Sequence, residues 1–126
     1  MTIIIGGRCQ GKLDFAARKF NAKKILNCEN DKLDNFQEFD AINKLNFMIK
    51  RFIADGKSDE EIRIIVMNLD NDVIICDEIG CAIVSMEKAD RRLVELTGRI
   101  CCDLSKKAEN VIRIYCGIPQ VIKGSI

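Results

Sequence analysis

An α/β domain, three layers deep with a mostly parallel sheet, is the fold class this sequence predicts, and three observations carry the prediction. Short β-branched runs alternate with stretches of helical periodicity along the chain. The first run, Ile3-Ile4-Ile5, passes directly into a glycine-rich turn and then a helical pattern. The run Val73-Ile74-Ile75-Cys76 is continuously apolar, as in strands covered on both faces, and it ends in Asp77-Glu78. In such sheets ligands lie at the carboxyl ends of the strands, where both turns fall.

Element by element, a strand over Thr2 to Ile5 leads through Gly6 to Gly11 into a helix from about Lys12 to Phe20. A short strand covers Lys24 to Cys28, and Glu29 to Asn35, dense in Asp and Asn, reads as a loop. A helix is expected from Asp34 or Asp40 to Asp55, with Ile42, Leu45, Ile49, Phe52 and Ile53 on one face and Gly56 as its stop. Ser58-Asp59-Glu60-Glu61 is a capping box opening another helix, with Ile62, Ile65, Val66 and Leu69 at helical spacing; its β-branched content leaves a strand over Ile62 to Met67 open. Ser85 is placed to cap a long helix through Lys107, burying Ala89, Leu93, Leu96, Ile100 and Leu104, and Val111 to Cys116 is expected as the last strand.

The turn Gly6-Gly7-Arg8-Cys9-Gln10-Gly11-Lys12-Leu13 matches the GxxxxGK phosphate-binding loop in all but its last residue. Backbone N–H groups and a helix N-terminus can wrap a phosphate chain there, with Lys12 reaching the outer phosphates. The full pattern then requires Ser or Thr as a Mg²⁺ ligand, and Leu13 offers no lone pair. The fold expected is therefore P-loop NTPase-like, with Gly6 to Leu13 as the nucleotide site. The plainer alternative is a strand-to-helix turn that binds nothing. Asp77 and Glu78 stand where such proteins place the acid of the Mg²⁺ shell or of the attacking group, so both are candidate metal ligands and Glu78 a candidate catalytic residue beside Lys12.

At 126 residues the chain is expected to form one domain, 1–126. Its 20 basic and 19 acidic residues give a net charge of +1, so no global field recruits nucleic acid or a membrane. Locally Arg8, Lys12, Arg18, Lys19, Lys23 and Lys24 outweigh Asp14, an electropositive edge that suits a triphosphate and equally a solvated helix face. No apolar stretch nears the about 20 residues that span a bilayer, and no leader pattern opens the chain, so a cytoplasmic protein is expected. The seven cysteines, Cys9, Cys28, Cys76, Cys81, Cys101, Cys102 and Cys116, have no CxxC spacing and read as reduced apolar fillers. Cys9, beside Arg8, is the one candidate for oxidation. The absence of histidine rules out Ser-His and Cys-His pairs and any histidine-bound phosphoryl or nucleotidyl intermediate.

Four segments together resemble the bifunctional adenosylcobinamide kinase / adenosylcobinamide-phosphate guanylyltransferase family. Val73-Ile74-Ile75-Cys76-Asp77-Glu78-Ile79-Gly80-Cys81-Ala82-Ile83-Val84 is similar to its strand followed by Asn-Glu-Val-Gly-x-Gly-Ile-Val-Pro. Arg91 with Gly98-Arg99 resembles its Arg-x-x-Arg-Asp-x-x-Gly segment, and Cys116-Gly117-Ile118-Pro119-Gln120-Val121-Ile122-Lys123 its Ser-Gly-Leu-Pro-x-x-x-Lys tail. Gly6-Gly7 to Gly11-Lys12 is similar to its Gly-Gly-Ala-Arg-Ser-Gly-Lys-Ser loop. The resemblance implies an enzyme of cobalamin assembly that phosphorylates adenosylcobinamide with ATP or GTP and Mg²⁺, then transfers GMP through a histidine. It further implies a homo-oligomer, a triphosphate held by Gly6 to Lys12, and Glu78 as the acid of the Asn-Glu pair.

The departures fall at polar positions. Leu13 replaces the loop serine, Asp77 the usual asparagine, Ser85 the proline, Val94 the second arginine, Glu95 the aspartate and Cys101 an asparagine. The middle of the chain is shorter, and without histidine the guanylyl transfer has no acceptor. Two functions follow as expectations: a nucleotide-binding phosphotransferase retaining the kinase half, or a nucleotide or anion binder without catalysis that regulates or completes a partner.

Overall fold

The computed structural model describes residues 1–79 and 88–125, apart from the side chain of Ala89. The elements are β1 (Thr2–Gly6), α1 (Lys12–Lys19), β2 (Ile25–Asn27), a 3₁₀ turn (Phe36–Glu38), β3 (Ala41–Asn43), α2 (Leu45–Ala54), α3 (Asp59–Met67), β4 (Val73–Asp77), α4 (Lys88–Lys107), β5 (Asn110–Tyr115) and β6 (Ile118–Lys123). The strands form one sheet in the order β2-β3-β4-β1-β5-β6, all parallel except the β5–β6 pair.

Alternation along the central strands divides the core in two. Ile3, Ile74, Cys76 and Val111 face one cluster, joined by Met48, Ile49 and Phe52 of α2, Ile62 and Val66 of α3, and Leu96, Ile100 and Leu104 of α4. Ile4, Ile75, Ile112 and Ile114 face the other, closed by Phe15 and Ala16 of α1. The arrangement is the expected three layers, with β1 and β4 buried on both faces. Each fully buried Ile or Met contributes on the order of 2 kcal/mol of apolar burial.

The Ser58 capping box forms: the Ser58 hydroxyl accepts from the Glu61 N–H and the Glu61 carboxylate from the Ser58 N–H. This settles the segment after it as helix, because four orphan donors at a helix start reward such a cap and a strand start does not. The expected Ser85 cap and the Gly80 to Val84 segment lie outside the described residues, as does the side chain of Ala89.

Two expectations are corrected. The helix expected from Asp34 or Asp40 begins only at Leu45, and Ala41–Asn43 is a strand paired with β2 and β4. Ile42 lies at helical spacing from Leu45 and Ile49, yet Ala41 faces one core cluster and Ile42 the other, a period of two. Lys44, at φ 60 and ψ 56, breaks the chain between strand and helix. Nor is β5 the last strand: Cys116-Gly117 turns the chain back into antiparallel β6, whose residues are almost all exposed.

Among the cysteines, Cys28 and Cys76 are buried and Cys101 half-buried, as fillers should be, whereas Cys9, Cys102 and Cys116 are exposed. Cys81 lies outside the described residues.

Candidate functional site

The sheet order makes β1 and β4 neighbours in register, Gly6 opposite Asp77. The helix after β1, α1, packs on one face of the sheet, and α4, the helix after β4, packs on the other. Neighbouring parallel strands whose connections diverge in this way open a crevice at their carboxyl ends. The two turns singled out in the sequence both border it.

Gly6 closes β1 where no other residue fits, since a Cβ there would meet the Ile114 carbonyl oxygen at 2.5 Å. Left-handed backbone recurs at Cys9 (φ 60) and Gly11 (φ 87), the kind of turn that makes amide groups into a concave nest. Gly11 is the N-cap of α1 and supplies no side-chain cap, so the first-turn amides have only the backbone geometry to answer them. A cavity of about 280 Å³ lies over the loop, lined by Arg8 to Asp14 and, across from them, Asn43, Lys44 and Asp77.

Lys12 is buried, 6% exposed, and its ammonium donates to the Gly7 carbonyl at 2.6 Å and pairs with Asp77 Oδ1 at 2.8 Å. Asp77 is 4% exposed. Its second oxygen accepts from Asn46 Nδ2 at 3.4 Å, and its own N–H donates to Asn46 Oδ1 at 3.2 Å. Two charges taken from water gain little net stability even when well paired, but removing one of them typically costs about 3–5 kcal/mol. The pair is therefore a commitment of the fold to a charged crevice.

Glu78 turns the other way. Its N–H donates to the Gly6 carbonyl at 2.8 Å, which fixes β4 against the start of the loop. Its carboxylate faces Arg113 of β5: Nη2 donates to Oε2 at 3.2 Å, and Nε lies 2.9 Å from Oε1 at an angle that makes no hydrogen bond. Glu78 does not line the loop cavity; it borders a smaller one of about 180 Å³ with Ile5, Thr97 and Cys101.

Of the expected site residues, Arg8, Cys9, Gln10, Gly11, Lys12 and Leu13 gather round one cavity with Asp77, Gly6 and Gly7 form the approach to it, and Glu78 sits beside it. Leu13 is 39% exposed and brings a hydrocarbon side chain to the position of the missing hydroxyl. The donor set for a hard cation is thin. Asp77 already answers Lys12 and Asn46, Glu78 answers Arg113, and among the described residues no three Cys, Asp or Glu side chains cluster as metal ligands.

The structure adds residues that the sequence did not single out. Asn46 braces Asp77, Asn43 and Lys44 form the far wall, and Arg113 holds Glu78. A lone arginine within the apolar run Val111 to Tyr115 was a visible signal for Arg113; Asn43, Lys44 and Asn46 lay in a segment read as plain amphipathic helix.

No protein-family model matches this chain, and no curated protein matches it significantly.

Proposed function

We propose that the chain is a P-loop NTPase-like nucleotide-binding domain: Gly6 to Leu13 hold the phosphates of ATP or GTP, and the acids after β4 serve transfer of the γ-phosphoryl group. The single observation that carries this reading is the buried contact of Lys12 with Asp77, 2.8 Å, which joins the loop lysine to the strand-end acid across two neighbouring parallel strands. Lys12 has partners of its own here, so a bound triphosphate must outbid the Gly7 carbonyl and Asp77. Phosphate oxygens carry more charge than a carbonyl, and charge-assisted hydrogen bonds are roughly twice as strong as neutral ones.

Asp77, relieved of Lys12 but still held by Asn46, fits a role in holding Mg²⁺ through a water, as suits an ion that keeps most of its hydration shell. The ion would neutralise charge on the outer phosphates. Glu78, steadied by Arg113, is suited to orient an acceptor hydroxyl. The acceptor follows from the resemblance alone: the aminopropanol hydroxyl of adenosylcobinamide, placing the protein in cobalamin assembly.

The test is calorimetric titration with ATP and GTP, with and without Mg²⁺, followed by labelled-phosphate transfer to adenosylcobinamide. Micromolar binding and transfer are expected. Binding without transfer rejects catalysis, and no heat from either nucleotide rejects the whole reading.

A second reading, binding without catalysis, is favoured by one specific observation: both acids already hold cationic partners, and Leu13 replaces the loop hydroxyl. It expects affinity indifferent to Mg²⁺. Affinity that depends strongly on Mg²⁺ and is lost in Asp77→Ala rejects it.

A further inference from the structure

The wall facing the phosphate loop is the junction of β3 and α2, and two of its residues have properties that packing alone does not explain. Asn43 is 6% exposed and lines the loop cavity, yet its side-chain amide has no hydrogen-bond partner among the described residues. Neither atom of that amide is fully shut off from the cavity, so both stay open to a ligand in it, as suits a polar side chain that the surrounding fold has not used. Lys44 borders the same cavity in a left-handed conformation, φ 60, that a residue with a Cβ adopts at a cost. Its ammonium is held at 2.5 Å by Glu29, in a pair that is only partly buried. Solvent reaches both partners, which weakens such a pair and lets it exchange.

We infer that Asn43 and Lys44 form a second anion-binding arm, which closes on the outermost phosphate of a di- or triphosphate held by the loop. This rests on the reading of Gly6 to Leu13 as a phosphate site and deepens it. Lys44 exchanges the Glu29 carboxylate for phosphate oxygens, and the Asn43 amide donates its N–H groups to the same phosphate. The arm brings positive charge to the end of the phosphate chain, where Leu13 leaves the loop without its hydroxyl. No bond is made or broken, and the ligand class is the polyphosphate itself rather than the base.

Titration of ATP and of inorganic triphosphate against four proteins, without Mg²⁺, tests the arm. Lys44→Gly suits the left-handed backbone, so its thermal midpoint is expected to hold or rise while affinity for both ligands falls about tenfold, the loss of one charge-assisted contact. Asn43→Asp turns a donor into a like charge and is expected to weaken both ligands at least as much. Glu29→Gln frees Lys44 and is expected to tighten both severalfold. Wild-type binding with unchanged affinity in Lys44→Gly and Asn43→Asp overturns the arm and leaves the loop reading standing. Absence of binding by the wild-type protein overturns both.

Discussion

Gln10 is tied twice to the turn that begins at Cys116: its side-chain oxygen accepts from the Cys116 N–H at 2.6 Å, and its backbone carbonyl accepts from the Gly117 N–H at 3.1 Å. The loop between β1 and α1 is thereby docked on the β5–β6 hairpin, 106 residues away in the chain. Gln10→Ala removes the first tie and is expected to cost about 1 kcal/mol of stability. Amide hydrogen exchange at Cys116 should quicken in this variant while that of the central strands holds. Unchanged exchange there would show that the loop does not depend on the hairpin.

Two glycines make opposite predictions. A Cβ at Gly6 would meet the Ile114 carbonyl at 2.5 Å, backbone that cannot move without parting β1 from β5, so Gly6→Ala is expected to destabilise by about 2 kcal/mol or more. Gly98 lies inside α4 with no atom of the described residues within 4 Å of the same position, and Gly98→Ala should stabilise by roughly 0.5–1 kcal/mol through helix propensity. Chemical denaturation of both variants checks the pair; equal effects would contradict the geometry.

Asp40 gives a pH dependence whose direction is fixed. Its Oδ2 accepts from the Lys24 and Lys23 N–H groups, each at 3.0 Å, and these hydrogen bonds hold its carboxyl below the ordinary value of 3.8. A depressed folded value means that the contribution is fully present above pH 3.8 and is lost as the pH falls through the lower, folded value. The gap between the urea midpoints of the wild type and Asp40→Ala, measured from about pH 6 down to about pH 3, should narrow toward the acid end. A gap that persists unchanged would sink the assignment.

Thiol chemistry should follow exposure and ionisation together. Burial pushes the Cys28 thiol up to about 12, and the Cys101 sulfur 3.7 Å away, together with burial, holds Cys76 above its usual range. Since the thiolate is the reactive form, an alkylating reagent at about pH 8 should label Cys9, Cys102 and Cys116 and spare Cys28 and Cys76 in the native state. Peptide mass spectrometry reads the order, and early labelling of Cys76 would contradict it.

How far the fold was readable in the sequence depended on element length. The five-residue strands β1 and β4 were legible as continuous apolar runs that end in turns, and α3 through its capping box, although its β-branched content left a strand open. In β3, three residues cannot distinguish a period of two from one of 3.6, and Ile42 satisfied both. In β6, exposure on nearly every side chain erases the alternation that marks a strand, leaving the Gly117 turn as its only signal. Lys12 and Asp77 were legible because each closes a motif at the end of a buried strand. The opposite wall was not, because Asn43 and Lys44 enter the cavity only once β3 has joined the sheet.

The sheet ends on β6, and an unsatisfied border of backbone amides and carbonyls is an invitation to polymerise. Here the border is guarded: Pro119 withholds one donor, the ladder to β5 slips between Val111 and Ile112, and Lys123 leans back to cap the carbonyls of Ser105 and Lys106. Such irregularities disfavour the recruitment of neighbouring strands alongside the exposed Ile118 and Ile122.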